Sequence, residues 1–269
     1  MALSIKEKGI STKILGVDKS LNNANEAKKI GIVDEIIELE AAIEVADLII
    51  IAVPVDATLQ LLPKILDRIG DQSAVMDVGS TKNSILNSIQ NHPKRKNFVA
   101  SHPMSGTENS GPSAAFYGLF KDKVAIICDQ ENSFDWAVRR VEQVYNAMES
   151  RLLYMDANAH DEHVGYVSHL SHVISYALAV AVLEKEKSTS TIFDLAAGGF
   201  ASTARLAKSS SEMWTPIFEQ NAENILPILD IYISKLNEFS TFLKNKEYGK
   251  VTSFIKEANQ IRRVLNKRE

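Results

Sequence analysis

Hydrophobic residues follow two different periods along this chain of 269 residues. Up to about residue 100, short runs rich in isoleucine, leucine and valine alternate with stretches whose apolar residues recur every three or four positions. The runs predict buried strands, and the stretches between them predict helices. The predicted strands are "TKILGVD", "DEII", "ADLIIIAVP", "SAVMDVG" and "NFVASHP", followed by "KVAIICD" and a helix over residues 134–148.

Continuously apolar strands that alternate with helices are typical of a parallel sheet covered on both faces. Residues 1–150 are therefore predicted to form a Rossmann-like α/β domain. After "SRLLYMD" the strand pattern stops, and helical patterns run over residues 156–186, 211–245 and 247–267. Residues 151–269 are predicted to form an all-α domain, whose apolar segments "YALAVAVL" and "ILPILDIYISKL" would pack against a second subunit in a homodimer.

Charge and composition argue against several classes of function. The formal net charge of -4 gives no field that attracts phosphate backbones, so no nucleic-acid partner is expected. The apolar run "LIIIAV" is too short to cross a bilayer, and the first residues do not have the pattern of a secretion signal. The single cysteine, Cys128, cannot form an internal disulfide. We expect a cytoplasmic protein that does not associate with membranes.

The first residues, "MALSIKEKG", predict a helix that ends at Gly9, and the strand that follows ends in Asp18. An acidic residue at the end of the second strand of a dinucleotide-binding sheet binds the adenosine ribose and favours NAD over NADP. The alternative is that Asp18 only caps the helix beginning near Leu21. The sequence contains no G-x-G-x-x-G loop. The chain is therefore expected to enter this fold one strand and one loop late, which leaves the neighbours of a central strand unpaired.

Two polar side chains follow neighbouring predicted strands. Ser80 in "MDVGSTK" and His102 in "SHPMSGTENSGP" should lie at the carboxyl edge of the sheet, where open α/β sheets bind ligands. A histidine there can accept a proton near neutral pH, as the oxidation of an alcohol requires. The alternatives are that Ser80 is a helix N-cap and that His102 is a hydrogen-bonded loop residue. Glu108, in the following loop, either tunes this site or is an ordinary exposed carboxylate.

The helical half contains the polar segments "HDEHVGYVSHLSH" and "GGFASTARLAKSSSEMW". His169 and His172 are three positions apart and share a helix face, whereas His163 and His172 are nine apart, a rotation of about 900° that puts them on opposite faces. We therefore predict no metal site on this helix. Arg205 and Lys208 share one face, and an arginine there either binds a carboxylate through two hydrogen bonds or is a solvated surface residue.

The motifs "DVGSTK", "SHPMSGTENSGP", "VSHLSH" and "GGFASTARLAKSSSEMW", in this order and spacing, resemble the prephenate/arogenate dehydrogenases of tyrosine biosynthesis. The resemblance covers nearly the whole chain. It departs from the family's pattern at the start, where the Gly-rich loop is not found, and at Ser171, where the family usually has proline. It implies an enzyme that uses NAD to convert prephenate to 4-hydroxyphenylpyruvate by oxidative decarboxylation, with arogenate as the alternative substrate.

The resemblance also implies roles for individual residues. His102 takes the proton of the substrate's ring hydroxyl, and Ser80 holds that hydroxyl and orients the histidine. His172 and Arg205 place the substrate and its carboxylates, and Glu108 belongs to the same polar network. Contacts with the cofactor are expected from Asp18, Val53, Pro54 and Gly79. The competing interpretation is a non-catalytic chain that cannot bind NAD, which the lack of a Gly-rich loop favours.

Overall fold

The computed structural model describes residues 1–107, 109–187 and 191–265. Its strands are β1 (Leu15–Gly16), β2 (Glu35–Ile36), β3 (Leu48–Ile51), β4 (Ala74–Asp77), β5 (Phe98–Pro103), β6 (Val124–Cys128) and β7 (Arg151–Met155). Its helices are α1 (Ala2–Glu7), α2 (Leu21–Lys29), α3 (Leu39–Val45), α4 (Val55–Arg68), α5 (Asn83–Ser88), α6 (Asp135–Ala147), α7 (Ala157–Val164), α8 (Leu170–Glu186), α9 (Gly198–Ala204), α10 (Ser211–Gln220), α11 (Ala222–Lys244), α12 (Tyr248–Ala258) and α13 (Arg262–Leu265).

A glycine follows the end of α1, and a serine side chain caps the start of α2. Gly9, just beyond α1, has a φ of +63°, a conformation that glycine adopts without steric cost. Helix α2 is capped by Ser20, whose side chain accepts a hydrogen bond from the backbone N–H of Asn23. Asp18 instead accepts a hydrogen bond of 2.8 Å from the N–H of Ser20. The alternative that Asp18 is the helix cap is therefore wrong.

Strands β3 to β7 form one five-stranded sheet in the order β3-β4-β5-β6-β7. The pairs β3–β4, β4–β5 and β6–β7 are parallel, but β6 runs antiparallel to β5. The prediction of a wholly parallel sheet is therefore wrong at β6. The described residues between β5 and β6 include one 3-10 turn, Pro112–Ala114, and no crossover helix of the kind that parallel neighbours need.

Strands β1 and β2 form a separate two-stranded parallel sheet, with Leu15 paired to Glu35 and Gly16 to Ile36. Strand β3 lies at the edge of the five-stranded sheet. In a doubly wound sheet entered at its second strand, β1 and β3 would be the two neighbours of the central strand. In the described residues β1 pairs with β2 and β3 pairs with β4, so β1 and β3 belong to different sheets.

The five-stranded sheet is covered on both faces, as predicted. Because successive side chains of a strand point to opposite faces, neighbouring residues of β4 enter different cores. Val75 belongs to a cluster with Leu62 and Leu66 of α4, whereas Met76 belongs to a cluster with Tyr145 of α6. All five of these side chains are fully buried. The sheet is therefore a rigid support for the residues at its carboxyl edge.

The chain divides into two compact units, Met1–Ala222 and Glu223–Glu269. In the first unit, one continuous helical stretch consists of α7, a π-helical segment at Gly165–His169, and α8. Asp156 caps this stretch by accepting a 2.8 Å hydrogen bond from the N–H of Ala159. In the second unit, the rings of Phe239 and Phe254 pack edge to face at 5.4 Å. The predicted domain boundary at residue 150 stays a prediction.

The stretch Ala157–Glu186 is the one described helix long and apolar enough to cross a membrane by length and composition. Only 17% of its most apolar 18-residue stretch is buried within the chain. A single helix of this kind is weak evidence for a membrane span, because apolar helices of other proteins have the same composition. The prediction of a homodimer accounts for the same exposed apolar surface.

Candidate active site

The carboxyl edge of the five-stranded sheet carries the predicted polar residues. Asp77 ends β4, Ser80 follows it after Gly79, and His102 is the last residue but one of β5, paired with Ile126 of β6. Because β4 and β5 are parallel, their carboxyl ends meet at one edge, as predicted for Ser80 and His102. Ser80 is half-buried there.

Helix α5, which follows Ser80, is capped from another element. The backbone N–H of Lys82 donates to Oδ1 of Asp161 at 2.8 Å, and the N–H of Asn83 donates to Oδ2 at 2.9 Å. Asp161 lies in α7 and is 1% exposed. The alternative that Ser80 is the N-cap is therefore wrong, and the carboxylate of Asp161 is fixed next to the sheet edge.

A chain of hydrogen bonds joins Asp161 to His102. Nδ1 of His160 lies 2.7 Å from Oδ1 of Asp161, and Nε2 of His160 lies 2.9 Å from Nδ1 of His102. The two imidazole rings pack edge to face at 5.1 Å. His160 is fully buried, whereas His102 keeps partial exposure. His102 is therefore a hydrogen-bonded histidine, but its partner is another histidine rather than the backbone of its loop.

Burial lowers the pKa of His102 well below 6.5. Burial also lowers the pKa of His160, although the hydrogen bond from His160 to Asp161 acts in the opposite direction. The positive charge of Lys82 contributes to both shifts. Both imidazoles are consequently neutral near pH 7 and have the capacity to accept a proton.

Lys82 and Asp77 form an ion pair in which both side chains are fully buried. The carboxylate of Asp77 also accepts hydrogen bonds from the N–H groups of Gly79 and Ser101, at 3.0 and 3.1 Å. A buried charge is stable only when it is paired and hydrogen-bonded, and Asp77 satisfies both requirements. The loop that carries Ser80 is thereby held at both ends.

Two further histidines lie on the long helix near Trp214 of α10. The ring of His172 stacks on Trp214 with centroids 3.4 Å apart, and the ring of His169 meets Trp214 edge to face at 5.7 Å. The amide of Asn221 contacts both the carbonyl of Asp161, at 2.8 Å, and Nδ1 of His169, at 2.9 Å. Burial lowers the pKa of His169 to about 4, so His169 is a neutral structural group.

The tautomer of His172 is determined by a contact with the backbone of its own helix. Its Nδ1–H donates to the carbonyl of Ser168 at 3.0 Å, which leaves Nε2 as the acceptor nitrogen of the neutral ring. Burial lowers its pKa, and the charge of Arg205 lowers it further. Arg205 is exposed in a 3-10 turn, Arg205–Lys208, close enough to His172 to influence it. Two of the three residues predicted to bind substrate, His172 and Arg205, are therefore near each other. Glu108 lies outside the described residues.

The predicted cofactor contacts follow strands β1, β3 and β4. Asp18 follows β1 and is exposed, and a carboxylate in that position suits the paired hydroxyls of a ribose. Val53 is exposed after β3, and Pro54 precedes the first residue of α4. A Cβ on Gly79 would lie 2.9 Å from a methyl group of Val55, so only glycine fits there without movement. These residues fit a dinucleotide at its ribose and at the strand ends.

The sequence interpretation missed His160, Asp161, Lys82 and Asn221. The available signal was the cluster of polar residues that opens "HDEHVGYVSHLSH". The periodicity of a helix, however, gives no information about a contact with another element, such as that of His160 with His102. Within the described ranges, no group of three or more histidine, cysteine, aspartate or glutamate side chains is arranged to hold a metal ion. The described site consists of hydrogen-bonded histidines and the buried ion pair of Lys82 and Asp77.

Comparisons with known proteins agree along the whole chain. The family model described as prephenate dehydrogenase, nucleotide-binding domain, matches residues 1–154, and the one described as prephenate dehydrogenase, dimerization domain, matches residues 156–257. The prephenate dehydrogenase of Lactococcus lactis is 30% identical over 269 residues, which cover 98% of this chain and 73% of that protein. The cyclohexadienyl dehydrogenase of Zymomonas mobilis is 30% identical over 250 residues, which cover 92% of this chain and 85% of that protein.

Solved structures give the same result. The crystal structure of prephenate dehydrogenase from Aquifex aeolicus, in complex with hydroxyphenyl propionate and NAD+, has a TM-score of 0.89 and 27% identity, covering 98% of this chain and 93% of that one. The Synechocystis arogenate dehydrogenase shares the fold, with a TM-score of 0.77 at 22% identity over 98% of this chain and 95% of that one. The resemblance inferred from the motifs is confirmed, and the chain belongs to the prephenate dehydrogenase family.

Proposed function

We propose that this chain catalyses the NAD-dependent oxidative decarboxylation of prephenate to 4-hydroxyphenylpyruvate, a step of tyrosine biosynthesis, with His102 as the general base. One observation carries the assignment of the base. His102 lies at the carboxyl edge of the sheet, partly exposed, with a pKa that burial holds well below 6.5. It is therefore unprotonated at neutral pH and in the form that accepts a proton.

The reaction removes a hydride from the ring carbon that carries the hydroxyl, a proton from that hydroxyl, and carbon dioxide from another ring carbon. When bound, NAD accepts the hydride from the ring carbon that carries the hydroxyl. His102 accepts the hydroxyl proton as that carbon becomes a carbonyl. The bond to the ring carboxylate then breaks, its electron pair completes the aromatic ring, and carbon dioxide leaves. The resulting phenolate oxygen takes a proton back, so that the protein mainly positions the reacting groups.

Substrate binding is assigned to residues of the helical half. His172 offers the Nε2 acceptor described above, and the nearby guanidinium of Arg205 suits a carboxylate through two parallel hydrogen bonds. Ser80, next to His102 on the sheet edge, is assigned to the ring hydroxyl. Asp18, Val53, Pro54 and Gly79 are assigned to the cofactor, with Asp18 on the adenosine ribose.

The first test is to follow NADH formation by the purified chain with NAD and prephenate. His102→Asn should lower kcat about 10²- to 10⁴-fold, the usual contribution of a general base, and leave the affinity for NAD unchanged. His163→Asn is the matched control, because His163 is exposed on α7 and takes no part in the proposed chemistry. Wild-type turnover by His102→Asn, or an equal loss of NAD affinity, would contradict the assignment.

Arogenate is the second candidate substrate, because arogenate dehydrogenase shares this fold. The two substrates differ at the side chain, which carries a keto group in prephenate and an amino group in arogenate. Parallel measurements of kcat/KM with both substrates distinguish them. A chain that folds, fails to bind NAD in a titration and turns over neither substrate would contradict the proposed function.

We also infer that the chain acts as a cytoplasmic homodimer with a nucleotide-binding domain over residues 1–150 and a helical domain over residues 151–269. Support for the dimer comes from the match to a dimerization domain and from the exposed apolar residues of α8, which include Val180 and Leu183. Such surfaces on a helix usually mark an interface with another protein or a membrane.

A further inference from the structure

His160 and Asp161, which hydrogen bonds link to His102, have no part in the reaction as proposed so far. Asp161 accepts three hydrogen bonds, from the N–H groups of Lys82 and Asn83 and from Nδ1 of His160. Each oxygen of this carboxylate accepts a backbone N–H, so the carboxylate is the acceptor in all three contacts. The bond between Asp161 and His160 therefore has one direction: the imidazole Nδ1–H donates and the carboxylate accepts.

That direction determines the protonation of the next ring. A neutral imidazole carries one proton, so with Nδ1 protonated, Nε2 of His160 is an acceptor. The 2.9 Å contact between this Nε2 and Nδ1 of His102 then requires the proton to be on His102. His102 consequently has a protonated Nδ1 and a bare Nε2, which is the nitrogen left to accept a proton from a substrate.

We propose that His160 and Asp161 are positioning residues that fix His102 in this tautomer and take over the proton that it accepts. The inference rests on the proposed role of His102 as the base. The substrate hydroxyl proton moves to Nε2 of His102, the Nδ1 proton of His102 moves to Nε2 of His160, and the resulting imidazolium of His160 is paired with Asp161. When the phenolate forms, both protons return along the same path.

The charges around the two rings favour this resting place for the proton. Asp161 is in direct contact with His160 and not with His102. Asp77 and Lys82, from the connection between β4 and α5, and His169, from the π-helical segment, are the other titratable groups that influence the pair. Burial and Lys82 oppose a positive charge on either ring, whereas Asp161 and Asp77 offset that effect at His160. His102 is thereby neutral at rest, and a proton passed on to His160 lies next to the carboxylate of Asp161.

Kinetics of three variants test this arrangement. In His160→Phe, Nδ1–H of His102 has no acceptor, and kcat should fall about 10²-fold with little change in KM. In His160→Gln, the amide oxygen can accept that N–H but cannot take up the proton, so an intermediate loss is expected. His163→Gln, on the same helix and exposed, should match the wild type.

The pH profile separates this role from a merely structural one. Removing the charge in Asp161→Asn should weaken the base, so the acid limb of kcat/KM should move to lower pH by about one unit or more while the maximal rate falls. A structural defect would lower the rate without moving the limb. Wild-type rates and limbs in both Asp161→Asn and His160→Gln would overturn the inference, even with His102→Asn inactive. An active His102→Asn would overturn the proposed function instead.

A second measurement does not depend on turnover or on cofactor. In the ¹⁵N NMR spectrum of the full chain labelled at histidine, His102, assigned by its loss in His102→Asn, should appear as the Nδ1–H tautomer with an unprotonated Nε2. In His160→Phe this preference should disappear. Finding the proton on Nε2 of His102 in the wild type would overturn the inference regardless of whether Asp161→Asn folds.

Discussion

At the scale of single residues, the active site combines neutral bases with a charged lysine. Lys82 is fully buried and its partner is Asp77, which accepts two backbone N–H groups as well. Removing one member of a buried pair leaves the other charge without compensation, which costs far more than removing an exposed pair. Lys82 therefore stabilises the loop of Ser80 and at the same time helps to keep the histidines unprotonated.

Lys82→Met should lower the free energy of unfolding by about 3–5 kcal/mol, because it leaves the Asp77 carboxylate buried and unpaired. The double variant Asp77→Asn with Lys82→Met should recover part of that loss, since no charge then remains. Urea denaturation measures both. Lys235→Met, which breaks the exposed pair with Glu238, is the control and should cost less than about 1 kcal/mol. A Lys82→Met variant as stable as this control would contradict the prediction.

The positions of Ser80 and His102 could be predicted from the sequence because each follows a continuous apolar run, and apolar runs in alternation with helices form a sheet with one ligand-binding edge. The partners of His102 could not. His160 lies 58 positions away and reaches His102 only through tertiary packing. The role of Asp161 could not be predicted either, because Asp161 caps α5 only when the long helix lies against the sheet edge.

At the scale of elements, the π-helical segment Gly165–His169 changes the direction in which the side chains after it point, relative to those before it. Nine residues of ideal α-helix turn through about 900°, which would put His160 and His169 on opposite sides. A π turn closes i→i+5 hydrogen bonds and so rotates less per residue. Asn221 contacts the backbone carbonyl of Asp161, one turn before the segment, and the ring of His169, at its end. The periodicity of apolar residues does not reveal such a segment.

Deletion of Val167, which is 70% exposed in the middle of this segment, should restore ordinary α-helix and rotate His172 by about 100° relative to His160. Turnover should then fall at least as far as in the His160 variants, with far-UV circular dichroism unchanged. Val167→Ala keeps the same register and serves as the control, with near wild-type turnover expected. Equal activity of the two variants would mean that the segment does not position the site.

At the scale of the whole molecule, we expect a second copy of the chain to cover the exposed apolar surface of α8, and the alternative is a membrane. Val180→Asp should convert a dimer to monomers in sedimentation velocity, because a charge would be buried at the interface. Leu21→Asp, which places the same charge on an exposed apolar position of α2, should leave the dimer intact. A wild-type chain that sediments as a monomer and floats with lipid vesicles would show that a membrane, and not a second copy, covers this helix.

The divided sheet also determines how the molecule should open locally. Strands β1 and β2 pair over two residues each, whereas β3 to β7 share one continuous ladder between two buried cores. Regions with few paired backbone groups open at lower free energy than core strands, so amide hydrogens near Leu15 should exchange well before those of Val75 and Val99. The ribose contact proposed for Asp18 would then rest on the part of the protein that loosens first on warming. Cofactor affinity should accordingly decline at temperatures where the histidines at the sheet edge are still in place.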